Sequence, residues 1–401
     1  MCSESLLLPR SLFLGPLPCS HVVTYLVPAM KRFPAFDPPE YLDWKADPDL
    51  LAEYRTRLLA DPQRSRVLAE LSHSFRLDLY RDLLRTRLHD IALKRWVRTG
   101  VISKAWLGTG EEAVTVGAVA ALDRERDVVC PMIRNAGALH MMGMPMADML
   151  KGYLATSDSP NGGRDLHLGD LDAGIVQPTS HMGMNVPVMA GIALSFRIRG
   201  EPRVALTWTG DGSVRTAAFH EGINFAAVRD LPLVVVIQNN QVALGTTASH
   251  HSPGDPATVP AAYGIPSWTC DGNNVLDVHV AARLAVERCR QGEGPAMVVA
   301  ETFRMGGHAT HDEREARDTF PPETFESWGR RDPIGLFEAF LMEDGTSTEE
   351  LARVEEEVVA EVEAASEEAL AARGRTPEPR AALFDGFSQG GPLVGLDTRP
   401  I

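Results

Sequence analysis

Two short polar motifs in this sequence, GDG (210–212) and NN (239–240), each follow an apolar run. The runs RVALTWT (203–209) and LPLVVVIQ (231–238) have the composition of buried strands. The 26 residues from 213 to 238 suffice for one crossover helix and one strand, which together make a single βαβ unit. Both strands of such a unit point the same way, and ligands bind at the carboxyl ends of strands in open α/β sheets. We therefore expect the two motifs to lie close together at one edge of a parallel sheet.

The residue types in these motifs suit a metal ion and a phosphate group. Asp211 offers a carboxylate and Asn240 an amide oxygen, and Mg²⁺ prefers such oxygen ligands where it shares its shell with phosphates. Gly210 and Gly212 let the backbone approach a phosphate closely and donate N–H groups to it. Ser213 is placed near the start of the next helix, which is another favourable position for anions. Either motif alone would be a common turn, but the pair at this spacing predicts a magnesium and phosphate site.

The rest of the chain supplies the elements that must position this site. Two further apolar runs, DVVCPM (127–132) and AMVVAETF (296–303), are also predicted to be buried strands. The spacing of apolar residues predicts helical segments over 49–99, 137–155, 184–199, 215–229 and 274–291. Alternating strands and helices predict the α/β class, with a parallel sheet covered by helices on both faces.

The predicted domain organisation has three parts. Residues 1–48 are predicted to be a partly disordered N-terminal extension, and 49–345 to be the α/β domain. Residues 346–401 are predicted to be a C-terminal helix and tail, in which an acidic amphipathic helix ends at Gly374. The helix is expected to pack one face on the core or on a partner.

Composition excludes several classes of function. The chain has 401 residues and a net charge of −15, which disfavours nucleic acid because phosphate binding needs a basic face. We expect no membrane insertion, because no apolar run reaches the roughly 18 uninterrupted residues of a spanning helix. The five cysteines are scattered without a CxxC pair, which predicts reduced thiols and a cytoplasmic location.

The GDG motif, its 26-residue gap and the NN motif together resemble the thiamine diphosphate motif. The surrounding sequence narrows the resemblance to the alpha subunits of thiamine-diphosphate-dependent 2-oxo acid dehydrogenases. The similarity extends over roughly residues 75–335 and is carried by blocks that occur in the family's order. These blocks are EEAVTVGAVAAL (111–122), IRNAGALHMMG (133–143), NGGRDLHLG (161–169), VPVMAGIALS (186–195), EGINFAAV (221–228) and GGHATHDE (306–313). The resemblance implies the thiamine diphosphate-binding fold, and within it the diphosphate-binding domain.

The resemblance also implies roles for individual residues. Asp211 and Asn240 would bind Mg²⁺ through their side chains, and Val242 through its backbone carbonyl. Arg134 would contact the diphosphate, which suits a guanidinium at the end of a strand. His308 would be the catalytic histidine of a mobile loop near the reacting carbon and would also contact the cofactor.

Other positions match the family's cofactor and substrate contacts. Ser180 and Met182 match residues that line the thiazolium and aminopyrimidine rings of the cofactor. Lys104, Ile133 and His167 fall near substrate-binding positions, and Ser180 shares that role.

The chain departs from the family at four of these places. The family commonly has aromatic residues at the positions of Lys104, Ile133 and Val242. After Gly212 the chain reads SVRTAA, where a polar run with glycine is usual, so Arg215 is an additional cation. The change at Val242 matters little if only the carbonyl binds metal, whereas the change at Ile133 removes a ring from the substrate region.

The function that the resemblance implies requires partners. With a beta subunit, in an alpha2beta2 heterotetramer, the chain would decarboxylate a 2-oxo acid on thiamine diphosphate. The acyl group would pass to lipoamide on a lipoylated acyltransferase component. The segment GGRDLHLG favours a branched-chain 2-oxo acid, with pyruvate dehydrogenase and acetoin dehydrogenase as alternatives.

Two other classes of function are weighed against this one. Residues 108–113 match GxGxxA, a nucleotide-binding fingerprint, which would make the chain a nicotinamide-dependent dehydrogenase. The segment before it, VISKAW, is a poor strand, so that interpretation is disfavoured. A non-catalytic thiamine-binding or scaffold subunit is the other alternative, and it would be favoured if His308 proved dispensable.

Overall fold

The computed structural model describes residues 44–59 and 61–384, which belong to one compact unit, Arg32–Ile401. The predicted N-terminal extension therefore lies almost wholly outside the described residues, as does the end of the predicted C-terminal tail. The helices are α1 (Pro48–Leu59), α2 (Pro62–Ala69), α3 (His73–Arg98), α4 (Glu112–Val119), α5 (Gly137–Met141), α6 (Met146–Tyr153), α7 (Asn185–Arg199), α8 (Ala217–Val228), α9 (Ala248–His251), α10 (Val275–Arg290), α11 (Glu313–Thr319), α12 (Pro322–Gly329), α13 (Pro333–Glu343), α14 (Thr348–Ala372) and α15 (Pro379–Phe384). The strands are β1 (Val128–Cys130), β2 (Ala205–Gly210), β3 (Leu233–Asn239), β4 (Val242–Ala243), β5 (Thr246–Thr247), β6 (Ser267–Asp271) and β7 (Ala296–Glu301).

Five strands form one parallel sheet in the order β1-β2-β3-β7-β6, and β4 and β5 form a small antiparallel ribbon. Gly210 pairs with Gln238, which in turn pairs with Ala300, so β2, β3 and β7 end at the same edge of the sheet. The four predicted strands are confirmed as β1, β2, β3 and β7. Strand β6 was not predicted, because the sequence SWTCD mixes polar and apolar residues and lacks a continuous apolar run.

Helices cover both faces of the sheet, as predicted. Leu233, Val235 and Ile237 of β3 point into an apolar cluster that includes residues of α7 and α8. On the opposite face, the indole N–H of Trp208 points toward the carbonyl of Val114 in α4, with an N···O distance of 3.5 Å. Helix α4 packs on α10, which also contacts β6 and β7. Strands that are buried on both faces consist of near-continuous apolar residues, which explains why these runs were recognisable in the sequence.

The predicted helical segment 137–155 is interrupted, and this part of the prediction is wrong. Helix α5 ends at Met141 and α6 begins at Met146. Gly143 has φ +105°, a conformation that favours glycine, and Pro145 precedes α6 and restricts its own φ. The sequence Gly-Met-Pro is therefore a helix break that the apolar pattern alone did not indicate.

Helix α14 packs along α3, with Leu351, Val354, Val358 and Val362 buried. Its acidic residues form ion pairs with arginines of α3, including Arg81–Glu357 at 2.7 Å and Arg85–Glu361 at 2.8 Å. The α-helix ends at Ala372, two residues before the predicted end at Gly374. The predicted amphipathic helix thus has its apolar face on the core of this chain.

A buried cluster of charges ties α3 to α4 and α13. The Arg87 guanidinium is paired with the carboxylates of Glu112 and Asp332, the latter at 2.8 Å. Burial opposes the charged form of Arg87, but the two carboxylates outweigh it and raise the pKa above its ordinary value. Glu112 also accepts the Gly110 N–H, and Asp332 caps α13 by accepting the Gly335 N–H.

Two predictions about chemistry outside the site can be compared with the structure. Over residues 44–59 and 61–384, no helix has the length and apolar character needed to cross a membrane. Cys130, Cys270 and Cys289 are free thiols and buried. Burial raises the pKa of all three, which makes them poor nucleophiles at neutral pH.

Candidate cofactor and catalytic site

The predicted site residues follow the carboxyl ends of neighbouring strands. Arg134 follows β1, Asp211 follows β2, Asn240 follows β3, and His308 follows β7. The parallel register of the sheet brings these ends to one edge. The structure therefore places four residues that are up to 174 positions apart in the same region, with Arg134 and His308 in direct contact.

Glu111 accepts hydrogen bonds from two residues near the carboxyl end of β3, and the sequence did not indicate it as a site residue. Its Oε1 atom accepts hydrogen bonds from Asn240 Nδ2 at 2.8 Å and from Gln238 Nε2 at 2.5 Å. Its Oε2 atom lies 3.6 Å from Nη1 of Arg134. Glu111 is 1% exposed and immediately precedes α4. It thus fixes the orientation of the Asn240 amide and contributes negative charge beside Arg134.

Several side-chain oxygens at this edge are buried without a hydrogen-bond donor, including one each on Glu111, Asp211, Asn239 and Asn240. Asp211 Oδ1 accepts the Gly212 N–H at 2.9 Å, but Asp211 Oδ2 and Asn240 Oδ1 have no hydrogen-bond partner among the described residues. Burial raises the pKa of Asp211, although His251 and the Gly212 N–H favour the charged form. Leaving such oxygens unpaired costs roughly 1–3 kcal/mol each, and more for a charge. A cation between them would remove this cost, so the donor set fits Mg²⁺.

His251 lies closer to this site than the sequence indicated. The adjacent His250 is exposed, whereas His251 is partly buried. His251 Nε2 is 3.6 Å from Asp211 Oδ2, and its side chain is 13% exposed. Both ring nitrogens lack a hydrogen-bond partner within the described part of the chain.

The segment after Asn240 makes a tight turn. Gln241 has φ +72°, and its side-chain amide donates to the Asn239 carbonyl at 3.1 Å. A left-handed residue that is not glycine is uncommon, and such residues cluster at functional sites. Val242 is buried in β4 and pairs with Thr247 of β5. Its carbonyl as a metal ligand stays a prediction.

The two glycines that flank Asp211 have different surroundings. A Cβ atom on Gly212 would lie 2.4 Å from Cβ of Ala243, so no larger residue fits there, whereas Gly210 has open space around it. Ser213 begins a short 3₁₀ turn, and α8 starts only at Ala217. Ser213 therefore lies about one turn before α8, near the start of this helix.

Met182 and the additional cation Arg215 both make hydrogen bonds near this turn. Ser213 Oγ donates to Sδ of Met182 at 3.4 Å, so two predicted cofactor-binding residues are in contact. Arg215 donates to the Gly254 carbonyl at 2.8 Å and to the Ser252 hydroxyl. It therefore anchors a loop.

Arg134 holds the imidazole of His308. Its Nη2 atom is 3.3 Å from His308 Nδ1 and 3.4 Å from the His308 carbonyl, while Nη1 donates to the Leu107 carbonyl at 3.0 Å. Burial lowers the pKa of His308 to about 4, and the positive charges of Arg134 and Arg304 act in the same direction. His308 is therefore neutral at physiological pH.

The loop that carries His308 is fixed by its neighbours. The Thr310 N–H donates to the Ala105 carbonyl at 2.9 Å, and the Ala105 N–H donates to Thr310 Oγ1 at 3.1 Å. A Cβ atom on Gly307 would lie 2.5 Å from the Ala309 carbonyl, so this glycine is needed for close packing, whereas Gly306 faces open space.

The predicted substrate residues form a second group. The Nε2 atom of His167 is hydrogen-bonded to Ser180 Oγ at 3.0 Å, and its Nδ1 atom is 2.9 Å from Asp165 Oδ1. Ile133 and His167 line the same pocket, which has an empty volume of about 380 Å³, part of it open to solvent. Lys104 lies elsewhere, with its ammonium 5.1 Å from the centre of the Trp106 ring.

No set of three or more His, Cys, Asp and Glu side chains in the described ranges could bind a metal by itself. A metal at this edge would therefore depend on amide, carbonyl and ligand oxygens in addition to the Asp211 carboxylate. Mg²⁺ accepts such a mixed set and commonly keeps phosphate oxygens in its shell.

A family model described as "Dehydrogenase E1 component" matches residues 80–378. The chain belongs to this family. The 2-oxoisovalerate dehydrogenase subunit alpha of Bacillus subtilis (strain 168) is 34% identical over 307 residues, which cover 75% of this chain and 92% of that protein. The pyruvate dehydrogenase E1 component subunit alpha of Acholeplasma laidlawii is 32% identical over 292 residues, covering 71% and 81%. The alpha subunit of acetoin:2,6-dichlorophenolindophenol oxidoreductase from Cupriavidus necator is 33% identical over 276 residues, covering 68% and 82%.

These matches confirm the resemblance to alpha subunits of thiamine-diphosphate-dependent 2-oxo acid dehydrogenases. The competing nicotinamide interpretation has no support in the fold of this E1 chain. Residues 44–59 and 61–107 contain no strand, and Gly108 instead packs on the backbone of Arg134, whose carbonyl oxygen would lie 2.2 Å from an added Cβ. A dinucleotide fingerprint requires a strand at that place.

Proposed function

We propose that this chain forms the diphosphate-binding half of a 2-oxo acid dehydrogenase active site and holds thiamine diphosphate through Mg²⁺. The observation that carries the proposal is the pair of buried, unpartnered oxygens on Asp211 and Asn240. They lie at the strand edge where Arg134 and His308 also meet. A divalent cation would pair with the Asp211 carboxylate at this edge, and a diphosphate would pair with the cation and with the Arg134 guanidinium.

The proposed roles are specific to each side chain. Asp211, Asn240 and the carbonyl of Val242 bind Mg²⁺, and Arg134 binds the diphosphate through its guanidinium. The backbone beside Gly210, where no atom fills the space, is available for close approach of a phosphate. Gly212 and Ser213 continue this segment, and Ser180 and Met182 line the rings of the cofactor.

When bound, thiamine diphosphate supplies an electron sink for loss of carbon dioxide from a 2-oxo acid. The chain's own contribution is positioning and proton placement. Arg134 orients the His308 imidazole, and the neutral ring keeps one N–H group that can be offered to an oxygen of the substrate. His308 is therefore the proposed catalytic residue.

The proposed assembly includes two partners. A beta subunit completes the active site in an alpha2beta2 heterotetramer, and a lipoylated acyltransferase component receives the acyl group. We place the assembly in the cytoplasm, where the free thiols of Cys130, Cys270 and Cys289 would stay reduced.

The pocket beside Ile133 favours a branched-chain 2-oxo acid as substrate. Its walls are mainly apolar, with Met132, Leu139, Met149 and Leu166 among the lining residues, and they suit an aliphatic side chain. Pyruvate and acetoin carry smaller apolar groups and would contact less of these walls. Burying one additional methylene group contributes roughly 0.8 kcal/mol, so the preference should be measurable.

Reconstitution tests this function. The alpha chain alone should not decarboxylate 2-oxo acids, and activity should appear when the cognate beta chain, thiamine diphosphate and Mg²⁺ are added. We expect kcat/KM to be higher for 3-methyl-2-oxobutanoate than for pyruvate, and acetoin to be a poor substrate. Ile133→Tyr should reduce kcat/KM for the branched substrate more than for pyruvate, because the ring would fill the pocket.

Three other outcomes would each contradict a different part of the proposed function. Robust turnover by the alpha chain alone would refute the shared active site. A preference for pyruvate or acetoin would keep the family and overturn the substrate. Tight cofactor binding with no turnover in the complete assembly would identify a non-catalytic subunit.

A further inference from the structure

One buried histidine faces the proposed substrate pocket and takes no part in the function described so far. The Ile133 pocket is defined by Ile133 and its other lining residues, His89, Pro131, Met132, Ala136, Leu139, Met149, Tyr153, Leu166, His167, Leu168 and Pro178. His89 belongs to α3, and its side chain is 2% exposed. Its Nε2 atom has no hydrogen-bond partner in residues 44–59 and 61–384.

The orientation of the His89 ring is fixed from the other side. Its Nδ1 atom is 3.2 Å from Oδ1 of Asp90. The second oxygen of Asp90 accepts the Gly108 N–H at 2.7 Å, so the carboxylate is itself held in place. A carboxylate can only accept, so His89 carries a proton on Nδ1 and, in that tautomer, presents a lone pair at Nε2.

The other polar side chains of the pocket are already engaged. His167 is bonded through its two nitrogens to Asp165 and Ser180. Tyr153 has a hydrogen bond with the backbone of Trp106. The remaining walls are apolar, so a ligand in this pocket meets aliphatic surface and one acceptor atom that needs a donor.

We propose that the Ile133 pocket takes the side chain of a 2-oxo acid that carries a hydroxyl group, and that His89 accepts the hydrogen bond from this hydroxyl. The inference rests on the proposed function and refines its substrate, because the apolar walls still bind the aliphatic part. A pocket that is built to bond a hydroxyl discriminates strongly against the analogue that lacks it, since the buried acceptor then stays unpaired.

A pair of isosteric substrates tests the proposal in the complete alpha–beta enzyme with thiamine diphosphate and Mg²⁺. 4-Hydroxy-2-oxobutanoate and 2-oxopentanoate differ only by a hydroxyl in place of a methyl group. We expect kcat/KM to favour the hydroxy acid by about tenfold or more. The pair 5-hydroxy-2-oxopentanoate and 2-oxohexanoate makes the same comparison with the hydroxyl one methylene farther from the keto group.

Variants assign the preference to His89. His89→Leu should abolish the preference for the hydroxy acid, whereas His89→Gln, which retains a hydrogen-bonding group, should keep part of it. His140→Leu is the matched control, since it replaces a neighbouring imidazole that does not line the pocket, and it should leave the ratio unchanged. Circular dichroism and the melting temperature identify a variant that fails to fold. If His89→Leu does not fold, the substrate preference of His89→Gln is compared with that of the parent enzyme instead.

A binding measurement separates this inference from the proposed function. Calorimetry with the alpha–beta complex lacking thiamine diphosphate gives the Kd of each acid without turnover. A hydroxyl preference in Kd that disappears in His89→Leu supports the role of His89 even if no acid is decarboxylated. Equal kcat/KM and Kd values for both members of both pairs, unchanged in the variants, would overturn the inference and leave the proposed function intact.

Discussion

The Nη2 atom of Arg134 lies 3.3 Å from the Nδ1 atom of His308. A guanidinium has no acceptor, so Nδ1 must accept this bond and the ring proton must reside on Nε2. Burial, aided by the charges of Arg134 and Arg304, holds the pKa of His308 at about 4. The two residues thus define a neutral imidazole with a known tautomer, which offers one N–H group to the active site.

The first prediction concerns His308. We expect His308→Ala to lower kcat by about 10²-fold or more, the usual contribution of a positioned proton donor. Acyl transfer to lipoamide should be the step affected most. His311→Ala is the control, because this exposed histidine lies in the same loop. Near-normal turnover of His308→Ala in the complete enzyme would remove His308 from the catalytic machinery.

The second prediction concerns the metal. Asp211→Asn should lower thiamine diphosphate affinity in Mg²⁺ by at least about 10-fold, because charge-assisted contacts contribute roughly 1.5–3 kcal/mol each. The fold should be preserved, since the substitution keeps the shape of the side chain. Calorimetry with and without Mg²⁺ measures the effect, and Asp172→Asn, at an exposed loop position, serves as control. An unchanged affinity in Asp211→Asn would show that the metal assignment is wrong.

The third prediction concerns the buried charge cluster. Arg87→Met should reduce the free energy of unfolding by about 3–5 kcal/mol, because Glu112 and Asp332 would keep buried negative charge without a counter-ion. Arg81→Met is a matched control on the same helix, and its partly exposed pair with Glu357 should contribute no more than about 1 kcal/mol. Denaturant unfolding of both variants gives the comparison. Equal losses would mean that burial does not decide the contribution of these arginines.

The fourth prediction is a loss of stability in acid that depends on His279. Burial lowers the pKa of His279 to about 4, whereas an unfolded histidine titrates near 6.5. Between these values the unfolded chain binds more protons than the folded one, so stability falls as the pH is lowered from 6.5 to 4. Each such group contributes up to about 1.4 kcal/mol per pH unit, and His279→Phe should remove one such contribution.

Urea unfolding at several pH values between 4 and 7 measures this slope. Phe75→Leu is the control, since the Phe75 ring centroid lies 5.0 Å from that of His279 and the substitution changes packing without removing a titrating group. It should lower stability by a similar amount at every pH. A His279→Phe variant that keeps the full slope of the parent protein would contradict the assignment.

The sheet was predictable because its strands are continuous apolar runs, and its parallel order followed from alternation with helices. Strand β6 was not, because Trp268 and Cys270 alternate with polar residues and the strand gains its stability from pairing with β7. The break between α5 and α6 had a signal in Gly143 and Pro145 that the apolar pattern concealed. Local sequence thus indicated the strands better than the places where helices end.

The candidate site was predictable where motif and strand end coincide, as at Asp211 and Asn240. Glu111 was not, since its partners Gln238 and Asn240 are 127 and 129 residues away and nothing beside it in the sequence indicates them. The same applies to His251, which reaches Asp211 only through the folding of the intervening segment. Ile133 and His167 were named for the substrate from resemblance, but His89 became visible only once the pocket was formed.

The pairing of α14 with α3 has a consequence for synthesis of the protein. Arg81 and Glu357 are 276 residues apart in the chain, as are Arg85 and Glu361. A nascent chain therefore carries α3 without its covering helix until the ribosome has added α14, which ends at Ala372. Until then, the apolar side of α3 is open to other chains and to chaperones. A truncation before Thr348 would make this transient exposure permanent.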